Sequence, residues 1–315
     1  MKKIVITPEA LSTSAKKYRD QLLQMPIYGL EKVLPYMTIR PGIRMAEVVG
    51  ELSGGIEFGP YDPERVDTAD LAIDGRELQT FFGSVVKKFD PNSVYGSIYG
   101  AAITKGEALK DVPVTVQILS YMGLQLGKNL AKEIFTAVRN ASGTTSHDLF
   151  NGFGTITESE ITAGNIAAAK GNFISVEAIS NINAVDIIKS ICAAAKEELT
   201  DGANLLVPRS VYNAYCEDYK QTTGSVAYNR EFKQTVVEGY EEVVLAPLSA
   251  LQGSNKLYLT PKQNMLIGMN TPGEETDIAV EKHHAFLLDY VATCFFGVQF
   301  ESISPERLMV AKMGS

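Results

Sequence analysis

One stretch limits what this chain can become. From Pro113 to Arg139, PVTVQILSYMGLQLGKNLAKEIFTAVR, apolar residues return every four positions, at Ile118, Met122, Leu126, Leu130, Ile134 and Val138, with Leu119, Ala131 and Phe135 beside them. That spacing is helical. Pro113 suits a first turn, whose amide lacks an intrahelical partner anyway, and Asp111 can cap or face the positive end of the helix. At 1.5 Å per residue the helix would reach roughly 40 Å, about the width of a small domain. A strict four-residue ladder drifts around a 3.6-residue helix, so the stripe winds and meets different neighbours along its length. Such a helix is a spine for the chain rather than one member of a bundle. Gly123 and Gly127 share one side of it: either they weaken it by roughly 1 kcal/mol each, or another backbone crosses there, the reading we take.

The segments before the spine read differently. Thr7, Pro8 and Glu9 open a helix that carries Leu11, Tyr18, Leu22 and Leu23 to Met25-Pro26. Its apolar stripe is too thin to make a core alone, so it must lie on its own domain or on a neighbouring subunit. Pro26, Pro35 and Pro41 predict an extended chain from Ile27 to Arg40. Over residues 42–100, strand-like runs at Ile43–Val49, Arg76–Lys88 and Ser93–Ala102 flank a middle punctuated by Gly54-Gly55, Gly59-Pro60 and Asp62-Pro63, which predicts long hairpin-like excursions. Between Phe81 and Phe89 apolar side chains fall on both faces of a presumed ribbon. Such a ribbon is either buried inside its own sandwich or an arm that packs on neighbours, and both readings stand.

After the spine, Asn140–Thr157 is a glycine-rich loop. Its Gly152-Phe153-Gly154 is a fragment of a phosphate-loop pattern without the third glycine, a Lys-Ser/Thr pair or an obvious following helix start, so it reads as a turn and takes no nucleotide. Asn183 caps a one-sided helix that runs to Asp201, with Gly202 as its stop. Leu205–Val207 reads as a buried strand and Pro208–Tyr219 as a helix, the start of a small α/β subdomain. Four short strands follow, at Val236-Val237, Glu242–Ala246, Lys256–Thr260 and Asn264–Met269. From Phe286 to Phe300 every second residue is apolar, with Asp289, Thr293, Gln299 and Glu301 opposite, the pattern of a half-exposed strand.

Composition excludes several classes. The 315 residues are 45% hydrophobic and 21% charged, enough for a sizeable core in two subdomains. With a net charge of −8 and no basic run longer than a pair, the chain carries no nucleic-acid footprint and no membrane-binding basic face. Cys192, Cys216 and Cys294 are far apart in apolar surroundings, as buried thiols of a reducing compartment are. No signal-peptide core and no 18-residue apolar run occurs, so we read a soluble protein made inside the cell.

Nothing assembles into recognisable chemistry. His283-His284 on a strand point to opposite faces, His147 is alone in a loop, and His284 and Cys294 on one continuous strand would lie roughly 33 Å apart. The carboxylate pairs Glu197-Glu198, Glu241-Glu242 and Glu274-Glu275 read as solvated surface. We therefore assign no catalytic, cofactor-binding or metal-ligating residue and no cofactor, and read the chain as a structural protein rather than an enzyme.

The order of elements resembles the tailed-bacteriophage major capsid protein family, the Hong Kong 97-type fold. The similarity is carried by an N-terminal arm, an extended loop, a long spine helix with the turn FNGFGTI after it, and a later α/β region. It is closest at NKLYLTPKQNMLIGMN and DIAVEKHHAFLLDYVATCFFGVQFESISPERLMVAK, which resemble that family's closing strands. The resemblance implies an α+β fold: N-terminal arm 1–41, extended hairpin loop 42–102, peripheral domain 103–180 with the spine helix at 113–139, axial α/β domain 181–276, and return strand and C-terminal segment 277–315. It implies a major capsid protein that assembles with itself into pentamers and hexamers of an icosahedral shell around loosely packaged double-stranded DNA. Location would be the virion capsid, assembled in the host bacterial cytoplasm without a membrane. Met1 lies so near the arm helix that a built-in scaffolding region has no room, which points to a separate scaffolding protein, beside a portal, as partners. Leu11, Tyr18, Leu22, Phe81, Phe82, Val85, Val86 and Phe89 are the expected subunit contacts. Lys87 and Lys88 lie in the kind of loop that forms Lys–Asn crosslinks in the founding member, but no partner Asn or catalytic Glu is identifiable, and no crosslink is inferred. An encapsulin-like compartment shell shares the fold and is the first alternative; a cytosolic enzyme with a site in 200–270 is the second.

Overall fold

The spine is shorter than its apolar ladder and is held by backbone contacts in its C-terminal third and just beyond its end. The computed structural model describes residues 27–53, 72–89, 114–223, 236–270, 279–284 and 287–314. The helix expected from Thr7, the turn-rich middle of the extended loop and the strand expected at Ser93–Ala102 lie outside these residues. Helix α1 covers Val114–Glu133, ending six residues before Arg139. Three carbonyls beyond its end are taken by the glycine-rich turn: Phe153 N donates to Ile134 O at 3.0 Å, Gly154 N to Phe135 O at 2.9 Å and Gly152 N to Ala137 O at 2.8 Å. These tertiary bonds replace the amides of further helical turns. A Cβ on Gly152 would lie 2.7 Å from the Phe135 carbonyl carbon, so the docking needs glycine. The same bonds settle the phosphate-loop fragment, because the amides that would cradle an anion are spent on carbonyls.

The buried line of α1 runs through Leu119, Gly123, Gly127 and Leu130, while Met122 and Leu126 are half-buried at its flank and Val138 is 49% exposed beyond the helix end. Another backbone does cross there. A Cβ on Gly29 would stand 2.6 Å from Gly127 Cα, Gly127 C and Lys128 N, so the segment after Ile27 lies directly on the spine. That segment is not extended as its prolines predicted: Leu30 N bonds Ile27 O at 2.9 Å, Val33 N bonds Leu30 O at 2.8 Å, and a 3-10 turn follows at Leu34–Tyr36. Coiling places Leu30, Val33 and Met37 together in the core, and their burial outweighs the bias of Leu34 before Pro35. Only β1, Thr38–Pro41, is extended.

Besides the helices, the described strands form two sheets and a ribbon. The ribbon pairs β2 (Ala46–Ser53) with β3 (Ala72–Gln79) and no other strand. At Thr80 the chain leaves the ribbon and enters β4 (Phe81–Phe89), so the run expected over Arg76–Lys88 is two strands in different sheets. The first sheet has the order β1, β10 (Met265–Met269), β12 (Leu287–Phe300) and β11 (Ala279–His284), with β4 also pairing β12. Strands β11 and β12 are an antiparallel pair in which His284 faces Leu287. The chain therefore reverses direction between His284 and Leu287 instead of running on as one strand, and Cys294 lies well along β12 from Leu287, the residue opposite His284. In β12, Tyr290, Ala292, Phe296, Val298 and Phe300 are buried, the alternation read from the sequence.

The second sheet has the order β5 (Phe173–Val176), β13 (Met309–Met313), β9 (Lys256–Thr260), β6 (Asn204–Pro208), β8 (Tyr240–Leu248) and β7 (Val236–Val237). Its central strands are apolar on both faces. Leu206, Tyr258 and Val310 join the core that also holds Leu130, Ile134, Phe135 and Phe296, whereas Leu205, Leu257, Leu259, Met309 and Ala311 join a second core. The sheet is thus a shared wall, which is why its strands read as continuous apolar runs. Helices α3 (Ala184–Ala194) and α5 (Arg209–Thr223) cover its far side, with Val185 N donating to the buried carboxylate of Asp218 at 2.8 Å. The helix expected from Asn183 to Asp201 breaks at Ala195, whose backbone is extended, and resumes as α4, Glu197–Thr200, with Glu197 and Glu198 at its positive end. One helix escaped the sequence reading: α2, Phe153–Thr162, starts inside the glycine-rich turn.

Candidate assembly interface

Strand β4 lies along β12 over its whole length, from Phe81 opposite Phe296 to Phe89 opposite Leu288. Period-two alternation then divides its side chains. Phe81 packs on the main core beneath the Arg139 guanidinium, 4.7 Å from the ring centroid, and Val85 is half-buried on the same face. Phe82 and Val86 point the other way and are 56% and 60% exposed. Phe82 rests beside Phe295, its cross-strand partner, with ring centroids 5.0 Å apart, and Val86 stands opposite Val291. The outer face of the pair is therefore an aromatic couple, a hydroxyl couple (Ser84 and Thr293) and an aliphatic couple in succession.

Of the residues expected to touch neighbouring subunits, Phe82 and Val86 are thus on an open face and Phe81 and Val85 on a covered one. Leu11, Tyr18 and Leu22 lie outside the described residues, as does the side chain of Phe89. The choice left open by the sequence resolves between its two terms, since β4 belongs to its own sheet yet keeps one apolar face uncovered by the described residues. The ribbon and its root add exposed apolar side chains that sequence reasoning missed: Met45, just before β2, and Val48 on it are each 74% exposed. Among the ribbon side chains described, Val49 and Leu78 are buried, gathered with Ile43 and Leu266. A short alternating strand does not say which of its faces meets the body, so Val48 and Val49 were equivalent in the sequence.

Charged groups hold the surrounding frame. Arg76 Nη2 on the ribbon donates to Glu160 Oε1 on α2 at 2.6 Å and to Gln299 Oε1 on β12 at 3.2 Å. Partial burial pushes the Glu160 carboxyl up, but hydrogen bonds from Asn165 and Arg76 and the charge of Arg76 outweigh it and leave it below the usual value. Glu158 is likewise lowered, first by its bond to Lys256, 2.8 Å away and almost fully buried, and then by Lys312. At the spine's end Glu133 Oε2 faces His147 Nδ1 at 2.9 Å and accepts from Thr136 at 2.8 Å; burial raises its carboxyl, and these bonds more than offset the rise. Among the described residues no three metal-ligating side chains converge, and no helix is long and apolar enough to cross a membrane.

No protein-family model matches the chain, and no curated protein matches it in sequence. Solved structures do. The satellite phage P4 procapsid, including the size determination protein, is similar over 100% of this chain and 94% of that chain, at 10% identity and a TM-score of 0.57. The capsid of the empty GTA particle is similar over 91% of this chain and 90% of that chain, at 12% identity and a TM-score of 0.58. The holo-SrpI encapsulin complex from Synechococcus elongatus PCC 7942 covers 89% of this chain and 86% of that chain, at 11% identity and a TM-score of 0.52. The fold is that of the phage major capsid proteins, as the order of elements implied.

Proposed function

We propose that this chain is a major capsid protein, a structural and not a catalytic subunit that assembles with itself into the pentamers and hexamers of an icosahedral head. The observation that carries the reading is the outer face of β4 and β12 on a fold of this kind: Phe82 and Val86 are exposed although the strand bearing them is fixed in the sheet. Burying a side chain of that size is worth about 1.5–3 kcal/mol, and a closed shell repeats the gain at every copy. A net charge of −8 suits a wall that encloses DNA without gripping it. Arm 1–41, extended loop 42–102, peripheral domain 103–180, axial domain 181–276 and closing segment 277–315 are the proposed parts. Phe82 and Val86, with Leu11, Tyr18, Leu22 and Phe89, are the proposed contacts, while Phe81 and Val85, expected among them, face the chain's own core side. A separate scaffolding protein, a portal, double-stranded DNA and assembly in a bacterial cytoplasm complete the proposal. The likeness to the SrpI encapsulin supports a second reading, a compartment shell around a protein cargo.

The test replaces Phe82 and Val86 together with Asp. The variant should keep the thermal unfolding profile of the parent and sediment as free subunits where the parent sediments as large assemblies. Assembly of the double variant with parental yield and size would remove the β4 face from the interface.

A further inference from the structure

The ribbon β2–β3 is attached to the body in an unusual way. It shares no ladder with either sheet, and its two strands join the body at one level. On one side the chain passes through two left-handed residues, Gly42 at φ 83 and Met45 at φ 70. Met45 is the one non-glycine with positive φ among the described residues, a conformation that costs roughly 1–2 kcal/mol outside glycine. On the other side a single residue outside any strand, Thr80, links β3 to β4. Thr80 N donates to Met45 O at 2.6 Å and its hydroxyl to Ile43 O at 3.3 Å, tying the two crossing points together. Below them Gly268 and Gly297 form a cross-strand pair in the first sheet. A Cβ on Gly268 would stand 2.7 Å from Thr80 Cγ2, and one on Gly297 would run into Gln79 O. The corner thus sits on a window of bare backbone, against which the buried Thr80 methyl and Leu78 side chain pack at Gly268.

Contacts that oppose turning of the ribbon start at this corner and continue outward. Val49 and Leu78 make a small apolar contact with Ile43 and Leu266. Beyond it Arg76 reaches off the ribbon to Glu160 on α2 and Gln299 on β12, and Gln299 Nε2 returns a bond to Glu77 O at 3.1 Å. Both side chains of the ion pair are mostly shielded, at 16% and 18% exposure, so the contact is more than a surface pairing. Four residues from Thr80, it acts on a lever arm of roughly 13 Å. Seven steps of strand carry Ala46 to Ser53 about 24 Å, so a rotation of about 10° at the root would displace the ribbon's described end by about 4 Å.

We propose that Arg76, Glu160 and Gln299 form a clasp that sets the angle of the ribbon to the body, with the Gly42–Met45 and Thr80 crossings as its pivot. They are positioning residues, and the specificity they confer is the direction in which the ribbon's exposed Val48 is presented. On the capsid reading the ribbon's angle would also set how neighbouring subunits tilt and so the curvature of the shell; that consequence rests on the capsid reading, and the clasp itself does not.

The test uses the full chain at a concentration where it is unassembled, with spin labels on ketone-bearing unnatural residues at positions 48 and 182, both highly exposed, leaving the native cysteines untouched. Electron–electron distance measurement should give one narrow distribution for the parent, a shifted or broadened one for E160Q and for R76L, and a return towards the parental distribution for R76E combined with E160R. Far-ultraviolet circular dichroism checks the fold, and Q299L serves as the milder variant if R76L does not fold. An unchanged narrow distribution in E160Q and in Q299L would overturn the clasp. Under assembly conditions E160Q should give shells of more varied diameter; if the parent never forms shells the capsid reading fails while the distances still decide the clasp.

Discussion

Replacing Gly29 with Ala should be among the most damaging single-methyl additions available in this protein. The new Cβ would lie 2.6 Å from three backbone atoms of the spine helix, Gly127 Cα, Gly127 C and Lys128 N. Carbon atoms in contact normally stand about 3.5–4.0 Å apart, so the crossing must open by about 1 Å. Neither side can yield locally, since both are backbone in hydrogen-bonded turns. Opening it also lifts Leu30, Val33 and Met37, which are 0%, 2% and 1% exposed, from the core they share with Leu130 and Ile134. Overpacking costs about 1–3 kcal/mol. The partial loss of three side chains worth about 1.5–3 kcal/mol each puts the sum near the upper end, about 3 kcal/mol. At about 2 °C per kcal/mol for a chain of this size, Tm should fall by about 6 °C. The comparison is Gly164→Ala, where φ is +74 and nothing lies within 4 Å of the added atom, so that only the left-handed backbone is penalised, by about 1 kcal/mol. Thermal unfolding followed by circular dichroism on unassembled protein measures both. Equal Tm values for the two variants would refute the close crossing.

Other outcomes follow from the same geometry. Glu133, Glu158 and Glu160 all lie below their ordinary value of 4.5, so each contributes stability above that pH and loses it as pH falls through its lowered folded value. Glu158→Gln should therefore lower Tm at neutral pH and flatten the decline below about pH 4.5, as a pH series of melts would show. Burial pushes the Cys192 thiol up to about 12 and the Cys294 thiol up to about 11, so at pH 8 a thiol reagent should label native protein at Cys216 alone and reach all three cysteines after unfolding. Gly297→Ala forces Gln79 off the sheet, and hydrogen exchange at Thr80 should accelerate at least tenfold while exchange in β9 stays at the parental rate.

The parts of the fold written in local periodicity were legible. The four-residue ladder announced the spine, the alternation from Phe286 announced β12, and the runs at Leu205–Val207 and Lys256–Thr260 announced β6 and β9, though not that their sheet is shared by two cores. What escaped was decided by tertiary contacts. Ile134, Phe135 and Val138 continue the helical spacing, yet the chain leaves the helix because the Gly152–Gly154 amides claim its next carbonyls. Pro26 and Pro35 argued for extension, and the core site for Leu30 and Val33 coiled the chain instead. The start of α2 was hidden because its N-cap, Gly152, serves the spine's end as well. On β4, Phe82 and Val86 could be named from the sequence, but only the register with β12 separates their exposed face from that of Phe81 and Val85. The Arg76–Glu160 pair spans 84 positions and left no local mark.

The most direct measurement is electron microscopy with light scattering on the purified chain across protein concentration and salt. The account predicts closed shells, or rings of five and six subunits, appearing cooperatively with concentration. A chain that stays monomeric at every concentration and salt, with the β4 segment resistant to protease, would contradict it.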